Sequence, residues 1–487
     1  MIASHRFSFL LGLMIVAITS LIHAQESMML RNNSAPAAGV AINRGDFNND
    51  GILDLVMTDG TAVSVFLGRA DGTFASPINT SNDLPTQDLA VGDFNNDGKL
   101  DVAVTNVGNH SIQVMLGNGD GTFQTATTIL FDQEPASITT ADFNNDGKMD
   151  LAVGIGVTTN QGVTTDEVDI LQGDGAGHFV RVNTLTTEPS VGLITKVRVG
   201  DFNRDGKVDL AVLEQKALSV WWGNGDFTFG ADVVAQYAQT NDMSTGDQNQ
   251  DSFTDILVSW FDSPGVVTGG VDVFYGGPSS SVTRKGQIVS GQSPSGILWE
   301  SPGGILTADV NGDGVNDIVG LSNDGTFADG LYVWLCNGEG SCSQSPTKFI
   351  YTTDRDKQAL VAGDFNRDGK IDFAAVRQGN GTVEVLLNAT PRAVCQKNVI
   401  APAMTVCQPQ DATFSHSPLH IVAQTDPAAT DIDVFIDNVK KGSFASSSIN
   451  QFFTLPTGNH FVVVKGFLSD GSSFRSDRHV SIFSGAH

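Results

Sequence analysis

The sequence predicts an all-β chain, a seven-bladed β-propeller of four-stranded repeats followed by a small β-sandwich. Three observations carry this prediction. A nine-residue acidic motif recurs seven times, its starts separated by 47, 49, 59, 46, 62 and 55 residues. Short alternating or apolar runs flank every copy. The 53 glycines against 16 prolines, with few long helix-forming stretches, fit short strands joined by many turns. At 487 residues the chain exceeds one compact core and has room for a large domain plus a small one.

The motif reads DFNNDGILD at 46–54, DFNNDGKLD at 93–101, DFNNDGKMD at 142–150 and DFNRDGKVD at 201–209. Three further copies follow: DQNQDSFTD at 247–255, DVNGDGVND at 309–317 and DFNRDGKID at 364–372. These are loops 1 to 7. A strand-like run enters each loop, as from Ser137 to Ala141, and an apolar run leaves it, as from Met149 to Val153. A third run such as Ile112 to Leu116 leads to a glycine turn, Gly117 to Gly121, and a fourth strand from Thr122. Four strands per repeat of about 50 residues make a propeller blade. The seventh repeat lacks a fourth strand after Val383 to Leu387, and residues Ser27 to Asn32 are expected to supply it, which removes an exposed sheet edge.

Within the motif, positions 1, 3, 5 and 9 offer side-chain oxygens, glycine at position 6 permits a sharp turn, and the carbonyl of position 7 can point inward. Hard oxygen donors in a tight loop suit calcium. The expected side-chain ligands, with the position-7 carbonyl last in each set, are Asp46, Asn48, Asp50, Asp54 and Ile52 in loop 1, then Asp93, Asn95, Asp97, Asp101 and Lys99 in loop 2. Loops 3 and 4 offer Asp142, Asn144, Asp146, Asp150 and Lys148, then Asp201, Asn203, Asp205, Asp209 and Lys207. Loop 5 has Asp247, Asn249, Asp251, Asp255 and Phe253, and is the weakest copy because Ser252 replaces the glycine. Loops 6 and 7 close the series with Asp309, Asn311, Asp313, Asp317 and Val315, then Asp364, Asn366, Asp368, Asp372 and Lys370.

Three carboxylates held this closely repel one another unless a cation sits between them. The loops contain 21 of the 54 acidic residues, and seven bound Ca²⁺ would reduce the formal charge from −27 to −13. An EF-hand is excluded because position 12 is apolar, as in Met57, Val104 and Val153, and lies in a strand. The seven copies resemble the FG-GAP or VCBS repeat family, the propeller type of integrin α-subunit heads and many bacterial surface proteins, over residues 27–390. That resemblance implies calcium in the hairpin between the first and second strands of each blade.

Residues 1–24 read as a signal peptide, with His5 and Arg6 before the apolar run Phe7 to Ile22 and Ala24 at the cleavage point. The expected domains are therefore the signal at 1–24, the propeller at 25–392 and the sandwich at 393–487. The mature chain is expected outside the cytoplasm, secreted, at the cell surface or in the periplasm, without membrane insertion. Cys336 with Cys342, and Cys395 with Cys407, form two close pairs that read as disulfides in an exported chain. The strong negative charge disfavours nucleic acid and anionic membrane as partners.

Catalytic signatures are absent from the sequence, which contains neither HExxH nor GxSxG. Arg44, Gly45 and Asp46 spell an adhesive tripeptide, but Asp46 is the first residue of loop 1. His416 and His420 flank Pro418 before a strand pattern and read as surface histidines. Beyond 395, runs such as Leu419 to Gln424, Ile432 to Ile436, Phe461 to Val464 and Val480 to Phe483 resemble an immunoglobulin-like or fibronectin-like module. On the propeller face opposite the calcium loops, the segments Ser259 to Gly270 and Ser290 to Gly304 are expected as loops. They carry the candidate ligand residues Trp260, Asp262, Trp299 and Glu300, since aromatics beside carboxylates suit a sugar or peptide. An interaction or adhesion module for glycan or protein ligands leads this reading, with a propeller-based carbohydrate-active enzyme as the alternative.

Overall fold

The computed structural model describes residues 32–36, 41–58, 62–81, 86–156, 166–187, 192–263, 266–278, 280–290, 304–312, 314–322, 330–337, 342–343, 347–350, 357–377 and 382–388, then 403–408, 413–416, 419–426, 430–437, 439–445, 448–453, 458–467 and 473–483. The expected signal segment, Trp299, Glu300, Cys395 and Asp313 lie outside the described residues.

Among the described residues, seven four-stranded sheets follow one another, each antiparallel throughout. Sheet 1 runs Ala41–Gly45, Asp54–Thr58, Ala62–Phe66 and Ile78–Ser81, and sheet 2 runs Thr86–Gly92, Asp101–Asn106, Ser111–Met115 and Thr127–Leu130. Sheet 3 has Glu134–Ala141, Asp150–Gly156, Glu167–Gly173 and Phe179–Thr186; sheet 4 has Ile194–Gly200, Asp209–Glu214, Ala217–Gly223 and Phe229–Gln236. Sheet 5 comprises Gln239–Gly246, Asp255–Ser263, Val266–Gly277 and Ser281–Ser290, and sheet 6 comprises Gly304–Ala308, Asp317–Ser322, Gly330–Trp334 and Thr347–Ile350. Sheet 7 has Lys357–Gly363, Asp372–Arg377 and Thr382–Leu386, with Asn32–Pro36 as its fourth strand.

The N-terminal segment supplies the fourth strand as expected, and its described part lies at residues 32–36, with Asn32 opposite Leu386 and Pro36 opposite Thr382; residues 27–31 of the expected stretch lie outside the described residues. A proline is tolerated there because this strand is the sheet's outer edge.

The alternation expected of half-exposed strands holds for few of these elements, and the reason is packing. Second strands such as Asp54–Thr58 and Asp101–Asn106 are buried at every residue. Both faces of each sheet meet a neighbouring sheet, so the strand reads as a continuous apolar run. Outermost strands, by contrast, are largely exposed, as in Phe229–Gln236. Seven apolar clusters result, each shared between two successive sheets. Sheet 1 and sheet 2 share one through Val56 and Val102, and the last joins sheet 7 to sheet 1 through Ala374 and Leu55.

Aromatic residues at loop position 2 clamp the same seams. Phe47 meets Phe123 of sheet 2 edge-on at 6.0 Å, Phe94 meets Phe179 at 5.4 Å, and Phe143 meets Phe229 at 6.0 Å. Phe365 of loop 7 meets Phe74 of sheet 1 at 5.8 Å in the same way. Backbone bonds reinforce the rings: Gly121 N–H donates to the Phe47 carbonyl and Gly177 N–H to that of Phe94. The arrangement is β-propeller-like.

Residues 403–483 form two further sheets of a different kind. One orders its strands Ala403–Gln408, Leu419–Asp426 and Ser448–Phe453; the other orders Thr413–His416, Ser473–Phe483, Gly458–Phe467, Asp431–Ile436 and Val439–Phe444. Ile432, Val434 and Ile436 are buried on one face, as are Val462 and Val464 on the partner strand.

Glycines at the end of the third strands are required by close backbone approach. A Cβ at Gly117 would stand 2.1 Å from the Leu100 carbonyl oxygen, and one at Gly223 would stand 2.0 Å from that of Val208. Gly117→Ala is therefore expected to destabilise the protein by about 2–3 kcal/mol, as overpacking against an immovable backbone does. Urea unfolding checks this; a change under about 0.5 kcal/mol would show that the hairpin gives way freely.

Candidate metal centres

All seven loops share one backbone path, set by two left-handed residues. Position 6 has φ between 70° and 87° throughout, in Gly51, Gly98, Gly147, Gly206, Ser252, Gly314 and Gly369. Position 4 is left-handed as well, with φ of 57° at Asn49, Asn96 and Asn145, 58° at Arg204 and Arg367, 62° at Gln250 and 75° at Gly312. The sequence reading recognised position 6 and missed position 4. Its signal was present, since asparagine and glycine tolerate this conformation best and fill four of the seven copies.

Side chains of the loop then close on its own backbone. In loop 2, Asp93 Oδ1 accepts from Asp97 N–H at 3.1 Å and its Oδ2 from Gly98 N–H at 2.8 Å. Asn95 Oδ1 accepts from Asp97 N–H at 3.0 Å, and Asp97 Oδ1 from Lys99 N–H at 3.0 Å. Loops 1, 3, 4, 5 and 7 repeat this set, as in Asp46, Asn48 and Asp50 or Asp364, Asn366 and Asp368. In loop 6, Asp309 accepts from Gly312 and Gly314 N–H. In three of the four loops with lysine at position 7, its side chain turns back on the position-5 carboxylate: Lys99 to Asp97 at 3.5 Å, Lys207 to Asp205 at 3.9 Å and Lys370 to Asp368 at 3.7 Å.

Position 9 has a different environment from the other acids. Asp54, Asp101, Asp150, Asp209, Asp255, Asp317 and Asp372 are each fully buried. One oxygen accepts from the position-2 amide and the other from the amide at the end of the third strand, as Asp101 does with Phe94 N–H at 2.8 Å and Gly117 N–H at 2.7 Å. The carboxylate thus pins loop, second strand and third strand together. Burial pushes Asp54, Asp209 and Asp372 up to about 7, Asp101 and Asp150 to about 6, and Asp255 to about 8. The amide donors offset part of this, while the acids at positions 1 and 5 add repulsion.

This donor set fits a hard divalent cation. Every loop supplies carboxylate, amide and carbonyl oxygens, and the mutual repulsion of its three acids is what a bound cation would relieve. Among the described residues, no group of three or more His, Cys, Asp and Glu side chains stands converged in metal-ligating geometry. The oxygens are instead engaged with the loop amides.

Two of the four predicted ligand-binding residues, Trp260 and Asp262, lie within the described residues, both in the second strand of sheet 5. Ser259 to Gly270 is a β-hairpin instead of a loop, because the second and third strands of sheet 5 extend to Ser263 and from Val266, with Trp260 opposite Gly270. Trp260 lies against Tyr237 of sheet 4 at 6.2 Å, Asp262 belongs to the same strand, and Trp299 and Glu300 fall outside the described residues. Tyr237 Oη donates to buried Asp272 at 3.0 Å, and the Arg284 guanidinium sits 6.0 Å over the Tyr237 ring. Sheet 3 repeats this clasp with Asp169, Arg181 and Phe131, so the cluster serves first as a seam. Sequence reasoning missed both clasps because their members stand far apart in the chain.

Cys336 and Cys342 form a disulfide, and they bridge where Gly117 and Phe123 bridge in sheet 2. Cys407 lies in Ala403–Gln408. Arg44 and Gly45 belong to the first strand of sheet 1, and burial lowers the Arg44 guanidinium to about 10, so the tripeptide serves the loop.

The FG-GAP-like repeat family model matches residues 46–104, 93–153, 201–258 and 309–375, stretches that between them contain all seven loops. The chain carries FG-GAP-like repeats. No curated protein matches the sequence significantly. Among solved structures, a lectin of Agrocybe aegerita described as recognising non-reducing terminal N-acetylglucosamine is similar at 17% identity and TM-score 0.44, over 75% of this chain and 91% of its own. An extracellular domain of a hybrid two-component system from B. thetaiotaomicron is similar at 9% identity and TM-score 0.42, over 94% of this chain and 60% of its own. Fibronectin(III)-like modules of Clostridium thermocellum cover 17% of this chain at 20% identity and TM-score 0.15, over 96% of their own length.

Two outcomes follow from the FG-GAP-like loops. Ser252 is held at φ 70°, so Ser252→Gly is expected to stabilise the protein by about 1 kcal/mol, read as a raised Tm; an unchanged Tm would mean loop 5 carries no strain. The buried position-9 acids bind protons more tightly folded than unfolded. Their contribution is therefore complete below the unfolded carboxylate range near pH 4 and is lost as pH rises through about 6 to 8. In EDTA, Tm is expected to fall from pH 5 to pH 8, and a flat profile would contradict the buried, uncompensated carboxylates.

Proposed function

We propose that this chain is an exported binding module in which a closed seven-bladed propeller, stabilised by calcium in its FG-GAP-like loops, presents a variable face to a glycan or an extracellular protein. On the same reading the C-terminal sheets are an immunoglobulin-like module. The observation that carries this reading is the sevenfold recurrence of one loop with oxygen donors at five positions, position 9 among them a buried acid. Such a set is costly to keep as a plain turn, because repulsion among three acids per loop opposes folding at neutral pH. A cation converts that cost into stabilisation.

The division of the sheets supports the binding role. Loops 1 to 7 lie at one end of the sheets, and in sheets 1 to 5 the third-to-fourth-strand turn lies at the same end and repeats closely. The second-to-third-strand turns and the sheet-to-sheet connections occupy the other end and vary in length and composition, as a recognition face does. Export is consistent with the apolar N-terminal run and with the Cys336–Cys342 disulfide, which persists in oxidising compartments.

Thermal unfolding in EDTA and then in millimolar Ca²⁺ tests the reading. At ten times Kd each native-state site adds about 1.4 kcal/mol, or about 10 kcal/mol for seven, and Tm is expected to rise by many degrees with Ca²⁺ and little with Mg²⁺. No shift would remove calcium from the account. Retention on immobilised polysaccharides without chain cleavage separates binding from turnover; release of shortened products would replace the binding module with an enzyme.

A further inference from the structure

We propose that Arg367 and Gln250 are positioning residues that tie each of their loops to the next, so that loop 7 with loop 1, and loop 5 with loop 6, take up calcium as cooperative pairs. This rests on the calcium reading above. Both residues occupy position 4 of their loops, in the left-handed conformation, between expected ligands at positions 3 and 5. Arg367 Nη2 donates to the Gly51 carbonyl, and Gln250 Nε2 donates to the Gly314 carbonyl. In both cases the acceptor is position 6 of the following loop. The residues are 316 and 64 apart in sequence, so chain connectivity does not create these bonds.

The acceptor peptide is well placed to transmit order. Gly51 N–H donates to Asp46 Oδ2 at 2.7 Å and Gly314 N–H to Asp309 Oδ2 at 2.8 Å, tying each glycine to a position-1 ligand of its own loop. The next residue, Ile52 or Val315, carries the expected carbonyl ligand. Fixing Asn366 and Asp368 around a cation fixes the Arg367 backbone between them, and the guanidinium then holds loop 1 at its most constrained peptide. Loop 1 therefore has less freedom to lose when its own cation binds, which is positive coupling without a change of shape.

Loops 5 and 6 have a second strap at the same seam. Asn316 Nδ2 donates to the Asp247 carbonyl at 2.9 Å, and Gln248 Nε2 donates to the Asn316 carbonyl. Among the described residues, no other position-4 side chain bonds to position 6 of the next loop, Arg204 of loop 4 included, although it is as long as Arg367. Asn96 and Asn145 are shorter side chains at position 4, and their amides lie beside Gly175 and Gly225, in the third-to-fourth-strand turns of the next sheets. Coupling is therefore expected at seams 7/1 and 5/6 and not at seam 2/3.

A double-mutant cycle tests this. Asp50→Asn disables loop 1 and Asp368→Asn disables loop 7; each is made singly and together, and the calcium concentration giving half the maximal Tm gain is measured. In the native background the pair is expected to be non-additive by about fivefold or more in apparent calcium affinity, and in Arg367→Ala it is expected to be additive. The direct electrostatic effect of Arg367 on loop 1 alone cancels in the cycle. Asp97→Asn with Asp146→Asn, across loops 2 and 3, is expected to be additive. Should Arg367→Ala fail to fold by circular dichroism, the same cycle with Asp251→Asn, Asp309→Asn and Gln250→Ala applies to loops 5 and 6. Additivity in the native background, or coupling that survives loss of the position-4 side chain, overturns the inference. A native protein that shows no calcium response defeats the calcium reading itself.

Discussion

The carboxylate at position 9 of each loop is the group on which the other features of the sheets depend. It is buried, yet both of its oxygens hold backbone amides that would otherwise be orphaned, one at the mouth of the loop and one at the end of the third strand. Three strands of every sheet are thereby set at a fixed stagger by a single side chain. The same charge, out of contact with water and close to two more acids, makes the metal-free loop electrostatically unfavourable at neutral pH. The residue that fixes the strands is thus also the one that brings a buried charge beside the loop's other acids.

Between sheets the organising constraint is apolar. Each second strand is buried on both faces, so no sheet can stand alone with its core exposed. The seven shared clusters, the edge-on phenylalanine pairs and the side chains of Arg367 and Gln250 all act across seams. The seam from sheet 7 to sheet 1 is built from the same parts as the others, with Phe365 on Phe74 and Arg367 on Gly51, although the two sheets come from opposite ends of the repeat region. The pairing of Asn32–Pro36 with Thr382–Leu386 adds a backbone link at the place where the chain itself supplies none.

Where the repeat is imperfect, the substitutions are informative. Ser252 keeps the left-handed path that glycine follows elsewhere. Cys336 and Asn388 stand where five other sheets use a glycine pressed against a carbonyl, and each still donates its amide to the position-9 acid. Cys336 adds a covalent staple across its turn, and Asn388 reaches back to the Val310 carbonyl of sheet 6 at 2.7 Å. The amide is therefore the conserved requirement of the site's geometry within this chain, and the absence of a side chain is one way of meeting it.

The loops, their order and the strands around them were legible in the sequence because they depend on local chemistry. A nine-residue spacing of oxygen donors, a glycine at a turn and an apolar run of strand length are all properties of neighbouring residues. The buried clasps of Asp169 with Arg181 and of Asp272 with Tyr237 and Arg284, and the hairpin that absorbs Trp260, were not legible, because each depends on which face of a strand meets a neighbour. The left-handed position 4 had a local signal in its asparagines and glycine that the motif reading passed over. By itself the sequence determined that seven equivalent acidic loops exist and what class of ion their oxygens suit. Only the tertiary structure decided which oxygens are buried, which seams carry long side chains from loop to loop, and that Trp260 lies against Tyr237, because burial and long-range contact are created by the packing of sheets and are not encoded at any one position.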